Sequence, residues 1–314
     1  MAIIESTYHP SILFQNPHVN TIFPTLFRRP SFRYHFRERI DTNDGDFLDI
    51  DWVKQGSGRV VILSHGLEGS SERCYVKGMA NALFAEGYDI CAWNYRSCSG
   101  EINRTYRLYH SGSTDDLNRI VAHVSNSYKD VYLVGFSMGG NLSLKYLGEQ
   151  SGTTVKKCVA FSVPCDLKGS SATLAQWQNK IYMNRFLRKL KEKVVLKEAQ
   201  FPDLISSKSY SEITSFKLFD DRYTSKIHGF KDAEDYWDTC SSKRFIPSIK
   251  TPTLLINAKD DPFLSESCFP VDECKNHSFV TLELPQYGGH IGFVSKGKNY
   301  WSENRVIEFF NNPL

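Results

Sequence analysis

Short unbroken apolar runs alternate with amphipathic segments along this 314-residue chain, and this rhythm constrains the fold more than any other feature. Parallel strands that are covered on both faces have unbroken apolar sequences, whereas helices repeat apolar residues every three or four positions. The pattern assigns strands to 60–64, 88–95, 131–136, 157–163, 252–258 and 279–284, and helices to 72–86, 113–127, 138–149 and 300–310. It therefore predicts an α/β fold with a mostly parallel central sheet and helices on both faces.

Three segments depart from this rhythm. Residues 9–30 show neither period and are predicted to be irregular, while the segments 33–40 and 47–54 flank Asp44-Gly45, a strong hairpin signal. Residues 166–249 are polar, with a helical piece at 173–197 and no strand pattern. We therefore expect a core formed by residues 1–165 and 250–314, with 1–30 as an N-terminal arm. Residues 166–249 form an inserted cap over the carboxyl edge of the sheet, where α/β proteins place their sites.

Composition excludes several classes of function. A net charge of +3 is too small to indicate a nucleic-acid partner. The eight cysteines include no Cys-x-x-Cys pair and no zinc-type spacing, so we expect no metal site. No signal peptide and no run of about 18 apolar residues is visible, which favours a cytoplasmic location. No obligate protein partner is evident.

The motif Gly135-Phe136-Ser137-Met138-Gly139 carries the clearest chemistry. It follows the apolar run VYLV and opens a helix, the context of a nucleophile elbow, so Ser137 is the candidate nucleophile. Acyl transfer also needs N–H donors for the oxyanion, and one is expected from the residue after the nucleophile, Met138. The other is assigned to Leu67, in the glycine-rich loop after strand 60–64. His65 in that loop is expected to be structural.

A serine nucleophile needs a neighbouring base, and His290 is the candidate because it lies on a glycine-flexed loop after the last strand. The acid that orients it should lie between Ser137 and His290 at a strand end. Asp260 is preferred, since it follows the run PTLLINA with common hydrolase spacing. Asp261 is the alternative and Asp166 the third candidate.

Seven segments together resemble the YheT-like branch of the α/β-hydrolases, which includes bacterial hydrolases, yeast medium-chain ethyl-ester synthase/esterases and animal lipases. They are NPHVNT at 16–21, HGLEGSS at 65–71, NYRSCSG at 94–100, GFSMGGN at 135–141, IYMNRFLRKLKEK at 181–193, DDPF at 260–263 and GGHIGF at 288–293. The resemblance implies an α/β-hydrolase fold and a triad of Ser137, Asp260 and His290. It also implies hydrolysis or alcoholysis of short- to medium-chain acyl esters without a cofactor or metal. Ser97 departs from the family, which usually has glycine there.

The leading hypothesis is a serine hydrolase that cleaves small-molecule esters or acylglycerols through an acyl-enzyme on Ser137. One alternative is an acyltransferase or ester synthase with the same triad, and another is a binding protein without catalysis. The basic amphipathic run 185–193 is interpreted as a cap helix with a solvated face. A weak contact of this run with a membrane surface is the second interpretation.

Overall fold

A computed structural model describes residues 2–150 and 152–312, and its centre is a nine-stranded sheet in the order β1-β9-β8-β7-β6-β4-β5-β3-β2. The strands are β1 (Ile3–Ile4), β2 (Phe36–Asp41), β3 (Phe47–Val53), β4 (Arg59–Ser64), β5 (Asp89–Asn94), β6 (Asp130–Phe136), β7 (Val155–Phe161), β8 (Thr253–Ile256) and β9 (Val280–Glu283). Only the pairings β2–β3 and β3–β5 are antiparallel. The predicted mostly parallel sheet is confirmed, and so is the hairpin at its edge.

Helices lie on both faces of the sheet and in the segment 166–249. They are α1 (Pro17–Phe27), α2 (Cys74–Ala85), α3 (Thr114–Ser125), α4 (Met138–Glu149), α5 (Leu167–Leu174), α6 (Lys180–Gln200), α7 (Phe216–Phe219), α8 (Ser225–His228), α9 (Ala233–Cys240), α10 (Val271–Cys274) and α11 (Trp301–Asn311). Two large clusters of buried apolar side chains lie on opposite faces of the sheet, one with α3 and α4 and the other with α2 and α11. Because β4 and β5 face both clusters, their alternate side chains are all shielded from water, which explains their unbroken apolar sequences.

The N-terminal arm contains regular structure that the sequence analysis did not predict. Residues 9–30 were expected to be irregular, but they hold α1 and a short 3-10 helix at Ile12–Gln15. The Asn16 side chain accepts hydrogen bonds from the N–H groups of His18 and Val19, and Pro17 occupies the first helical position. Pro24 inside the helix interrupts the apolar period, which explains why the pattern was missed.

The segment 166–249 contains helices, and no strand occurs among its residues. Its long helix α6 packs in a third apolar cluster that also includes Phe263 from the sheet edge. Helices α7 and α8 are joined by a π-helical turn, Asp220–Thr224. We keep the name cap for residues 166–249, and its boundaries stay a prediction. Across residues 2–150 and 152–312, no helix is both long enough and apolar enough to cross a bilayer.

Candidate active site

Ser137 lies in the sharp turn between β6 and α4. Its backbone has φ 53° and ψ −117°, in a region that residues other than glycine rarely adopt. The Ser137 N–H donates to the carbonyl of Phe161 on the next strand at 2.8 Å, which ties the turn to the sheet. A Cβ atom at Gly135 would lie 2.5 Å from the Gly139 carbonyl oxygen, so the turn requires glycine there. The strained turn lifts Ser137 to the N-terminus of α4, where the helix dipole favours developing negative charge.

His290 faces Ser137 from the loop after β9. Its Nε2 lies 3.0 Å from the Ser137 Oγ, within hydrogen-bond distance. The imidazole ring stacks on Phe263 with a centroid separation of 4.0 Å, and only 9% of the His290 side chain is exposed. The structure therefore brings the predicted nucleophile and base together, with the second ring nitrogen, Nδ1, turned away from Ser137.

The carboxylate beside His290 is that of Asp261, and the expectation that Asp260 fills this position is wrong. The Asp261 Oδ2 lies 2.9 Å and its Oδ1 3.1 Å from the His290 Nδ1. The Asp261 N–H donates to the Ala258 carbonyl in a tight turn, and its Oδ1 accepts from the Phe263 N–H. The turn aims neighbouring side chains in different directions, so only one of the two aspartates can face the imidazole.

Asp260 holds the loop that carries His290. Its Oδ1 accepts from the Gly289 N–H at 2.9 Å, and its buried Oδ2 has no partner among the described residues. Burial raises the pKa of Asp260 to about 6. The third candidate, Asp166, caps helix α5 through the Gly169 N–H. Both groups are therefore structural in this geometry.

The N-terminal arm positions His290, a role that the sequence analysis missed. The Thr21 Oγ1 on α1 accepts from the His290 N–H at 2.8 Å and donates to the Pro17 carbonyl. The buried Asn20 accepts from the Val294 N–H through its Oδ1 and donates to the Tyr8 hydroxyl through its Nδ2. The signal that could have found this helix is the dipeptide Asn16-Pro17, an N-cap followed by a first-turn proline.

Two backbone N–H groups beside Ser137 are available to an oxyanion. Within the described parts of the chain, neither the Leu67 N–H nor the Met138 N–H has a hydrogen-bond acceptor, and both residues line the cavity that contains Ser137. His65, by contrast, donates from Nδ1 to the Gly66 carbonyl and accepts at Nε2 from the Tyr95 N–H. Burial lowers the pKa of His65 to about 3, so this ring is a neutral support for the loop.

Ser97 has φ 62°, a left-handed conformation that favours glycine. Its hydroxyl donates to the Asn103 side chain and accepts from the Asn103 N–H, which holds the loop in this shape.

Two cavities meet at Ser137 and His290. The first, about 110 Å³, lies beneath the cap and has mostly apolar walls that include Leu174, Phe186 and Phe216. The second, about 170 Å³, lies between α1 and α6 and contains charged side chains. Phe186 and Phe263 line both cavities.

The basic run of α6 is only partly a solvated face. Only 12% of the Lys193 side chain is exposed, and it pairs with the buried Glu68 at 2.7 Å, while Arg185 and Lys189 line the second cavity together with Arg73. The interpretation of this run as a plain solvated face is therefore wrong for Lys193. The membrane contact stays a prediction.

Known proteins share this architecture. The family described as alpha/beta hydrolase fold matches residues 59–296. YheT of Escherichia coli (strain K12), which is named as a candidate esterase, is 32% identical over 314 residues, covering 96% of this chain and 92% of YheT. The phospholipase ABHD3 of Mus musculus is 30% identical over 306 residues, covering 93% of this chain and 74% of the relative.

Among solved structures, the Pyrococcus furiosus esterase Pf2001 superposes with a TM-score of 0.61 at 21% identity, covering 89% of this chain and 92% of the esterase. At that identity the likeness shows the fold alone. The family match and the identity to YheT go further, because both span most of the chain. The chain therefore belongs to the α/β-hydrolase family, in the YheT-like branch of esterase- and lipase-type hydrolases.

Proposed function

We propose that this chain hydrolyses carboxylic esters of short- to medium-chain acyl groups through an acyl-enzyme on Ser137. The observation that carries the proposal is the continuous chain of contacts from Ser137 Oγ to His290 Nε2 at 3.0 Å and from His290 Nδ1 to Asp261 Oδ2 at 2.9 Å. A nucleophile, a base and a carboxylate in this order form the arrangement that serine hydrolases on unrelated folds share.

The chemistry follows from the positions of these groups. Ser137 Oγ attacks the ester carbonyl while His290 Nε2 takes its proton, and the carboxylate of Asp261 stabilises the resulting imidazolium. The N–H groups of Leu67 and Met138 bind the oxyanion. His290 then protonates the departing alcohol, which leaves an acyl group on Ser137. Water, activated by the same imidazole, releases the acid and restores the serine.

The two cavities suggest how the substrate lies. The apolar first cavity suits the acyl chain, and the charged second cavity suits the alcohol half. At about 110 Å³ the first cavity is smaller than most small-molecule sites, which span roughly 300–1,000 Å³. This size favours acyl groups shorter than those of long-chain lipids.

The test combines a substrate panel with an active-site probe. We expect hydrolysis of p-nitrophenyl esters from acetate to palmitate to reach its highest kcat/KM at a short or medium chain. A fluorophosphonate probe should add one covalent label at Ser137, measured by mass spectrometry of the intact protein. Ser137→Ala is the matched control and should take no label. An active Ser137→Ala variant, or a wild-type protein that is neither labelled nor active on any ester, would contradict the proposal.

A further inference from the structure

A buried carboxylic acid, Asp220, lies in the wall of the mostly apolar first cavity. It begins the π-helical turn between α7 and α8, and 8% of the residue is exposed. The apolar residues Leu174, Phe216 and Phe219 line the same cavity. Such π-helical turns are rare and are often found at functional sites. The proposed triad chemistry gives this carboxylic acid no role.

Among the described residues, Asp220 has two neutral hydrogen-bond donors and no cationic partner. The Thr224 Oγ1 donates to its Oδ1 at 2.6 Å, and the Trp237 Nε1 donates to its Oδ2 at 2.8 Å. Its neighbour Asp221, in contrast, forms an ion pair with Lys217. Burial raises the pKa of Asp220 to about 7. A carboxyl group offers about four acceptor positions, so two protein donors leave room for a ligand.

Two hydrogen-bond donors, His110 and Tyr236, line the same cavity as Asp220. The His110 Nδ1 accepts from the Gly112 N–H at 3.2 Å, which places the proton of the neutral ring on Nε2. The Tyr236 hydroxyl accepts from the Ser111 N–H at 3.0 Å, which leaves its own proton free to donate. Among the described residues, neither the His110 Nε2 nor the Tyr236 hydroxyl proton has an acceptor, while the two rings lie 5.8 Å apart. We name His110, Asp220 and Tyr236 the polar patch.

We propose that the polar patch binds a hydroxyl group on the acyl chain of the substrate, away from the scissile carbonyl. A hydroxyl group donates to Asp220 and accepts from His110 or Tyr236, so it satisfies both kinds of group at once. An ammonium group has no lone pair for the two donors, and a second carboxylate would lie against Asp220. A methyl group would leave these buried polar groups without partners, which disfavours plain hydrocarbon chains.

This inference rests on the proposed function and adds the substrate class to it. The test compares p-nitrophenyl alkanoates with p-nitrophenyl ω-hydroxyalkanoates of equal length, from about six to twelve carbons, because shorter ω-hydroxy esters cyclise to lactones and release p-nitrophenol without the enzyme. Because each pair shares one leaving group, their kcat/KM ratio reports the acyl pocket alone. We expect the hydroxylated ester to be preferred about tenfold or more at one or two lengths.

Two variants separate recognition from a structural role. Asp220→Asn keeps the size of the side chain and an acceptor for Trp237, and Tyr236→Phe removes only a hydroxyl. Each should lower the ratio of kcat/KM for the hydroxylated ester to kcat/KM for the plain ester about tenfold. Asp221→Asn is the matched control and should leave the ratio unchanged. Should one variant fail to fold, the other still reports the ratio.

Each outcome decides the inference. Preference for the plain ester at every length would overturn it, and so would equal losses on both esters in either variant. Hydrolysis of plain esters in that case would leave the proposed function standing. Activity on neither series, with no labelling of Ser137, would overturn the proposed function and the inference together.

Discussion

The carboxyl edge of the sheet and the cap meet at Ser137, but they hold their side chains in different ways. At the sheet edge, backbone hydrogen bonds fix Ser137 to Phe161 and Asp261 to Ala258. In the cap, Phe186 and Phe216 are held by contact with neighbouring apolar rings, with centroids 5.9 Å apart. Hydrogen bonds have preferred distances and angles, whereas apolar contacts are non-directional.

This difference predicts that the two regions control different kinetic constants. The sheet edge carries the groups that must be aligned with the reacting atoms, so changes there should lower kcat. The cap supplies walls that bind the substrate equally in the ground and transition states, so changes there should raise KM.

Removing the base should have the largest effect. His290→Ala takes away the only imidazole within reach of Ser137 in the described structure, and kcat should fall by about 10⁴-fold or more. The measurement is steady-state hydrolysis of p-nitrophenyl butyrate, with circular dichroism as the check on folding. A folded variant that retains more than a tenth of wild-type kcat would contradict the assignment of His290 as the base.

Loosening the loop that carries His290 should cost less. Thr21→Val removes the oxygen that accepts from the His290 N–H, so the imidazole should shift and kcat should fall about 10- to 100-fold. Thr21→Ser keeps the hydroxyl and should retain activity. Equal rates for the valine and serine variants would show that helix α1 does not position the base.

Enlarging the cavities at the cap should weaken substrate binding. Phe186→Ala enlarges both cavities, and KM should rise about tenfold while kcat stays within a few-fold of wild type. Trp177→Ala is the control, since Trp177 lies in the cap, is 86% exposed and lines neither cavity. A fall confined to kcat in the Phe186 variant would contradict the prediction that the cap controls KM.

The smallest expected effect concerns stability near Asp260. Burial raises its folded pKa from 3.8 to about 6, so ionisation penalises the folded state above pH 6 and the penalty disappears as the pH falls towards 4. Asp260→Asn should remove this penalty, worth about 1 kcal/mol at pH 8 after allowance for partial exposure. Urea unfolding at pH 4.5 and pH 8 measures it, with the exposed Asp238→Asn as control. A stability difference that does not change with pH would argue against a buried, ionised Asp260.

The sheet and its elbow could be read from the sequence because their signals are local. The apolar run before Gly135 and the helix after Ser137 together specify a strand, a turn and a helix, and the structure has all three. The hairpin at Asp44-Gly45 is equally local. Local rules succeed here because burial on both faces and turn geometry act within a few residues.

The predictions that failed concern contacts between segments that are distant along the chain. Nothing near Asp260 and Asp261 shows which carboxylate faces His290, 29 residues further along the chain. The contact between Thr21 and His290 joins residues 269 positions apart. The cap could be recognised as an insertion, but the polar patch required a fold that brings His110, Asp220 and Tyr236 to one cavity.

The proposed triad is tested most directly by replacing each of the two neighbouring aspartates in turn. Asp261→Asn and Asp260→Asn are compared for kcat on one p-nitrophenyl ester, with melting temperatures measured for both. We predict that Asp261→Asn loses about 10⁴-fold in kcat, because the imidazole adopts the wrong tautomer and its charged form loses its partner, while Asp260→Asn stays within tenfold of wild type. The reverse order of losses, or two variants that both remain within tenfold of wild type, would contradict the triad of Ser137, His290 and Asp261.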